Sequence, residues 1–178
     1  EPGGRNFVCF FNTRSYWPTA YSPRTNSIYT SWYDACLDYQ SEKGDEPRNR
    51  QQVFRPGADP ERFTGMARVN VETGEITFFN EGTHPSIGAT LATAGGLIFN
   101  GDANRRLRAF DDETGETLWE TIVGGTVSSS TISYEVDGRQ YVAVMTGDNL
   151  ILAQMTGLSG TPIVTGDNTI YVFALPEQ

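Results

Sequence analysis

Two stretches of this chain repeat each other, and that repeat limits the possible folds more than any other feature. Asn70-Val71-Glu72-Thr73-Gly74-Glu75 aligns with Asp111-Asp112-Glu113-Thr114-Gly115-Glu116, and a large aromatic follows each at the same spacing, Phe78 and Trp119. The offset from Asn70 to Asp111 is 41 residues, and a weaker third copy, Ser22-x-x-Thr25-Asn26, lies 48 residues before Asn70. A period of roughly 40–50 residues holding about four short strands is the signature of a β-propeller. Each four-stranded unit leaves an apolar face bare until a neighbour stacks on it. In the turn, Asp or Asn and Thr bond backbone groups while Gly supplies a positive φ.

The rest of the chain keeps the same rhythm. Residues 20–32 read as strand, turn, strand, with the turn at 22–26. Further strand pairs are expected at 67–70 and 76–79, at 89–94 and 97–100, and at 106–110 and 117–122. Strands at 131–136 and 140–145 flank Asp137-Gly138, a strong hairpin signal, and 169–175 (TIYVFAL) reads as a last apolar strand. No apolar stripe of helical period runs beyond two turns, so the class is all-β. Residues 40–65 are polar, contain Pro47, Pro56 and Pro60, and read as a long surface loop. The whole gives only three or four blades, against the four to eight of a closed ring. The chain is therefore expected to be part of a larger propeller, or to assemble with a partner chain.

Composition excludes several functions. The net charge is −9 and Lys43 is the only lysine, which argues against nucleic-acid binding. No run approaches the ~18 apolar residues of a membrane span, and no signal-peptide pattern is visible. Cys9 and Cys36 are the whole thiol inventory and His84 the one histidine, too few for a Cys/His zinc site. A Ser-His-Asp arrangement would have to use His84, more simply read as a solvated loop residue. Asp111, Asp112 and Glu113 look like a metal loop, but calcium loops need more oxygens, and the turn role is preferred. Arg105-Arg106-Leu107-Arg108 is a basic spot expected to pair with acids of a neighbouring blade.

Ala109-x-Asp111-x-x-Thr114-Gly115-x-x-x-Trp119 matches A-x-D-x-x-T-G-x-x-x-W at every fixed position. Residues 89–101 (ATLATAGGLIFNG), 134–144 (YEVDGRQYVAV) and the ending 171–176 (YVFALP) add three more matches in order. Together they resemble the pyrroloquinoline-quinone (PQQ) dehydrogenases, the eight-bladed quinoprotein alcohol dehydrogenases. Ala109, Asp111, Thr114, Gly115 and Trp119 then form the family's tryptophan-docking motif. The resemblance runs from about Arg14 to the end and places the chain as the C-terminal third of such an enzyme.

That resemblance implies oxidation of an alcohol or sugar alcohol by hydride transfer to PQQ. An Asp base and a divalent or lanthanide ion, commonly Ca²⁺, would be held mainly outside this chain. A cytochrome c or another acceptor would take the electrons, and the loop at 40–65 would cover substrate or dock that acceptor. What remains here is one rim of the cofactor pocket. Residues 14–23 (RSYWPTAYSP) resemble a family segment whose Asn and aromatic touch the quinone, and Ser15 and Tyr16 stand in those places. Ile87 stands where family members often carry an aromatic near the cofactor. Asn149 and Leu150 replace glycines of a loop whose backbone N–H groups reach the quinone. Each position also has a plain reading, as a blade-leading loop, blade packing and a polar turn respectively.

The resemblance also pairs Cys9 with Cys36, closing a loop of about 28 residues and stabilising by ~3 kcal/mol, which points to the periplasm. Two reduced, buried cysteines are the alternative. The competing functional reading is a non-catalytic PQQ-repeat scaffold that binds protein partners. The replacements at Ser15, Tyr16, Ile87 and Asn149 lean that way, whereas the A-T-A-G-G segment and the cysteine pair lean towards the enzyme.

Overall fold

A computed structural model describes residues 5–9, 18–41, 47–147, 157–162 and 164–175. Fourteen antiparallel strands and no helix occur among them. The first blade is formed by β2 (Ala20–Ser22), β3 (Ser27–Tyr33), β6 (Thr64–Asn70) and β7 (Ile76–Gly82), in that order across the sheet. The second is formed by β8 (Leu91–Ala92), β9 (Leu97–Gly101), β10 (Arg106–Asp111) and β11 (Thr117–Ile122). The third holds β12 (Thr131–Val136), β13 (Arg139–Met145) and β14 (Ile170–Ala174). Within each blade consecutive strands are neighbours, and the leading strands β2, β8 and β12 lie side by side.

The repeated turns explain the third-to-fourth strand hairpins. Asn70 Oδ1 accepts the N–H groups of Glu72 and Thr73 at 3.0 and 2.9 Å, and Asp111 Oδ1 accepts those of Glu113 and Thr114 at 2.9 and 2.8 Å. Gly74 and Gly115 close the turns at φ 73° and 74°. Gly115 has a second reason to be glycine, since a Cβ there would lie 2.7 Å from Phe79 Cγ of the first blade. The supposed third copy at 22–26 is a different turn. It joins the first two strands of its blade, β2 and β3, with Asn26 at φ 48°. The same local chemistry serves another hairpin, and that is why it aligned only weakly.

Blades cohere through apolar clusters between their faces. Tyr29, Met66 and Phe79 of the first blade meet Ile98 and Phe110 of the second. Leu107 and Val123 meet Val144, Tyr171 and Phe173 of the third side, around Val127, and Trp119 packs edge-on against Phe173 at 5.3 Å. One polar latch adds to the first interface. Asp112 is an acidic residue with its side chain fully buried. Its carboxylate accepts Ser22 Oγ at 2.8 Å and Arg24 Nε at 3.1 Å, pairs with the second arm of Arg24, and its backbone carbonyl accepts the Tyr29 hydroxyl. Those partners all belong to the first blade.

Two expectations need correction. Residues 40–65 are not one long loop. β4 (Ala35–Ser41) and β5 (Pro47–Phe54) form an antiparallel hairpin inserted between β3 and β6, and β1 (Arg5–Val8) adds to its β4 edge. Strand pairing with β4, not an alternating apolar pattern, fixes β5, so the polar run from Arg48 to Gln52 hid it. The hairpin base is held by Arg55, which donates to both Asp34 oxygens at 2.7 and 2.8 Å. Nor do Arg106 and Arg108 pair with acids of a neighbouring blade. Arg108 pairs with Asp102 at 2.7 Å and Glu120 at 2.6 Å, and Arg106 also pairs with Glu120, all within the second blade.

Replacing Asp112 with Ala leaves Arg24 and Ser22 without their acceptor and is expected to cost about 3 kcal/mol in urea denaturation. Asp111 behaves differently. The N–H groups of Thr114 and Glu113 hold its carboxyl below the usual range, so its contribution is complete at neutral pH and is lost as pH falls through that lowered pKa. Asn70 does the same work without charge, so Asp111→Asn is expected to keep neutral-pH stability and to flatten the acid limb of a denaturation-against-pH curve. Asp111→Ala is expected to lose stability at neutral pH and to converge on the wild type in acid, where the wild-type contribution is already gone.

Candidate functional site

Strand order gives each blade two ends. At one lie the tight turns 23–26, 71–75, 93–96, 112–116 and 137–138. At the other lie the connections that lead into β2, β8 and β12 and the exit from β13. Ile87, in the connection from β7 to β8, is at this second end. Ser15, Tyr16, Asn149 and Leu150 lie outside the described residues. The chain on their near sides, Pro18 before β2 and Gly147 after β13, also reaches this end.

Backbone hydrogen bonds lace these connections from blade to blade. Thr90 N donates to Pro18 O at 3.0 Å, Ala89 N to Ser129 O at 3.0 Å, and Gly147 N to Thr126 O at 3.1 Å. Ala103 N donates to Pro85 O at 2.8 Å. Below them, Ser86 Oγ donates to Gly101 O at 2.9 Å and contacts Asn100 Oδ1, while Asn100 Nδ2 donates to Thr90 Oγ1 at 3.2 Å. All three side chains are buried and satisfied. Thr131, the first residue of β12, is also buried, but its hydroxyl has no hydrogen-bond partner among the described residues.

Ile87 is fully buried, packed with Tyr33, Ala35 and Phe63, with Phe54 and Leu158 against them. Its side chain packs in the core beneath this end, as the blade-packing reading has it. His84 is exposed, and its Nδ1 lies 2.8 Å from Thr161 Oγ1. That contact ties the β7–β8 connection to the 157–162 segment. Cys9 and Cys36 are joined by a disulfide, which pins the chain to β4 immediately before residues 10–17. Among the described residues, no group of three His, Cys, Asp or Glu side chains is placed to hold a metal ion.

Sequence reading missed two acids that hold distant segments together, one at each end of the sheets. Asp112, at the tight-turn end, was given only the turn role that it shares with Asp111 and Glu113. The one available signal was its counterpart Val71, an apolar residue in the sister repeat. Asp167 was missed as well. Its Oδ2 accepts Thr146 Oγ1 at 2.9 Å and the Tyr171 hydroxyl at 3.3 Å, and Tyr171 in turn accepts Gly124 N at 2.9 Å. It thereby closes the base of the connection that carries Asn149 and Leu150. No motif marked it.

Removing the disulfide with Cys36→Ser is expected to cost about 3 kcal/mol, given the 27-residue separation. Thermal melts with and without reductant check this, since reductant should lower the wild-type midpoint and leave the variant unchanged.

Known proteins are similar to this chain in sequence and in architecture. The family described as "glucose/ethanol/alcohol dehydrogenase, beta-propeller domain" (PQQ) matches residues 61–142. The chain is 30% identical over 173 residues to 1-butanol dehydrogenase (quinone) of Thauera butanivorans, covering 94% of this chain and 28% of that protein. It is 48% identical over 153 residues to the quinohemoprotein alcohol dehydrogenase of Comamonas testosteroni, covering 77% of this chain and 21% of that one. A europium-containing methanol dehydrogenase superposes with a TM-score of 0.75 at 23% identity, over 89% of this chain and 32% of that structure, which is a likeness of fold. The chain thus spans about a quarter of the length of these two relatives. On its repeats, its stacked sheets and these likenesses, the chain belongs to the PQQ β-propeller family of quinoprotein alcohol dehydrogenases.

Proposed function

We propose that this chain supplies one rim of the cofactor site in a PQQ-dependent dehydrogenase that oxidises alcohols or sugar alcohols to aldehydes or ketones. The observation that supports it most is topological. Ile87 and the chain flanking both other candidate pairs arrive at one end of the sheets, joined there by backbone hydrogen bonds across the blades. A ligand site built from separate blades needs that convergence.

Ser15 would donate a hydrogen bond to the cofactor and Tyr16 would lie against it. The backbone N–H groups at Asn149 and Leu150 would face its carboxylate side, and Ile87 would form the dry floor. When bound, the quinone supplies a hydride acceptor for the carbinol carbon. The catalytic base and the ligands of Ca²⁺, or of another divalent or lanthanide ion, belong to other parts of the protein. So do the remaining blades. In this reading a cytochrome c or other acceptor takes the electrons, and the disulfide accords with a periplasmic setting.

The test uses the full-length protein prepared free of PQQ. Addition of PQQ with Ca²⁺ or La³⁺ is expected to quench tryptophan fluorescence saturably and to switch on dye reduction dependent on a primary alcohol. Absence of any PQQ binding in the folded protein would contradict the proposal and favour a scaffold that binds protein partners.

A further inference from the structure

Gly88 sits where the connection leading into β8 crosses the one leading into β12. A Cβ built on it would lie 2.9 Å from the Val127 carbonyl oxygen and 3.4 Å from that of Ser129. It is not among the residues with positive φ, so turn geometry does not require glycine here. Close approach of two backbones does.

Everything around the crossing is tight. Val127 and Ile87 are fully buried. A Cβ on Gly101 would land on the Val127 side chain from another direction. The next residue after Gly88 donates to Ser129 O, and the one after that to Pro18 O. The residue before Val127 accepts from Gly147 N. The crossing is therefore tied by hydrogen bonds to Pro18 on one side and to Gly147 on the other, the described residues that stand nearest in sequence to Ser15–Tyr16 and to Asn149–Leu150. A close-packed interior has no slack to absorb a methyl group against a carbonyl. The 126–130 segment has to move, and Gly147 is tied to it.

We infer that Gly88 is a positioning residue for the cofactor rim: its missing side chain sets the spacing between Ile87 and the Thr126–Ser130 connection, and so the relative placement of the rim segments on three blades. This rests on the quinone site proposed above. Misplacing such a frame by an ångström is enough to cost on the order of a hundredfold in function.

The test compares Gly88→Ala with Gly65→Ala in the full-length protein. Gly65, on β6, is equally confined, with a Cβ there 3.0 Å from Glu81 Cα and 3.1 Å from Asn80 O, but it lies in the third-and-fourth-strand part of the first blade. Both variants should melt earlier. Only Gly88→Ala should weaken PQQ binding in the fluorescence titration, by about tenfold or more, while Gly65→Ala stays within about twofold of wild type. Equal PQQ affinity in all three proteins, or equal weakening in both variants, would overturn the inference. Failure of the wild type itself to bind PQQ would overturn the proposed function, and this inference with it. If Gly88→Ala does not fold, Val127→Ala loosens the same crossing from the other side. It should then weaken PQQ binding more than Val142→Ala, which empties a similarly buried site elsewhere in the third blade, and parity between those two would overturn the inference.

Discussion

A small antiparallel sheet with apolar side chains on both faces cannot remain in water on either side, and the architecture of this chain follows from that constraint. The second blade satisfies it on both faces of its inner strands, covered by Tyr29, Met66 and Phe79 on one side and by Tyr171 and Phe173 on the other, while Leu118 and Ile122 of its outer strand stay exposed. The outer blades satisfy it once each. Ile76, Phe78 and Tyr21 on the free face of the first blade are about half exposed, as are Ile132, Val136, Ile170 and Val172 on the third. Such faces are the pattern expected where a propeller continues. Asp112 shows how alignment is added to adhesion. Apolar faces can slide, whereas a buried carboxylate that needs Ser22 and Arg24 holds one register between two blades.

The parts legible in the sequence were those encoded locally. Asn70 and Asp111 cap their turns through backbone groups two and three residues away, so the motif carries its own structure. Asp137-Gly138 marked its hairpin for the same reason, with both residues at positive φ. What stayed hidden depends on partners far along the chain. β5 is a strand because β4 pairs with it, and nothing in its polar sequence announces that. Asp112 meets residues some 90 positions away. Arg106 and Arg108 chose acids of their own blade because antiparallel pairing of β10 with β11 brings Glu120 opposite Arg108.

The candidate site shows the same division. Its residues were named from resemblance, but what brings their segments together is a set of backbone hydrogen bonds and a close glycine crossing, neither of which depends on side-chain identity. The buried Ser86–Asn100–Thr90 group and the orphaned Thr131 hydroxyl belong to this end as well. The proposed cofactor rim thus lies at the end of the sheets with long connections, and the buried Asp112 latch lies at the end with tight turns.

The most direct measurement is a crystal structure of the full-length protein with its cofactor bound. The account predicts quinone density at the end defined by Pro18, Ile87–Gly88, Thr126–Ser130 and Gly147, within hydrogen-bonding reach of Ser15 and of the backbone at Asn149 and Leu150. Quinone density at the tight-turn end, or a ring whose bound cofactor touches none of these segments, would contradict it.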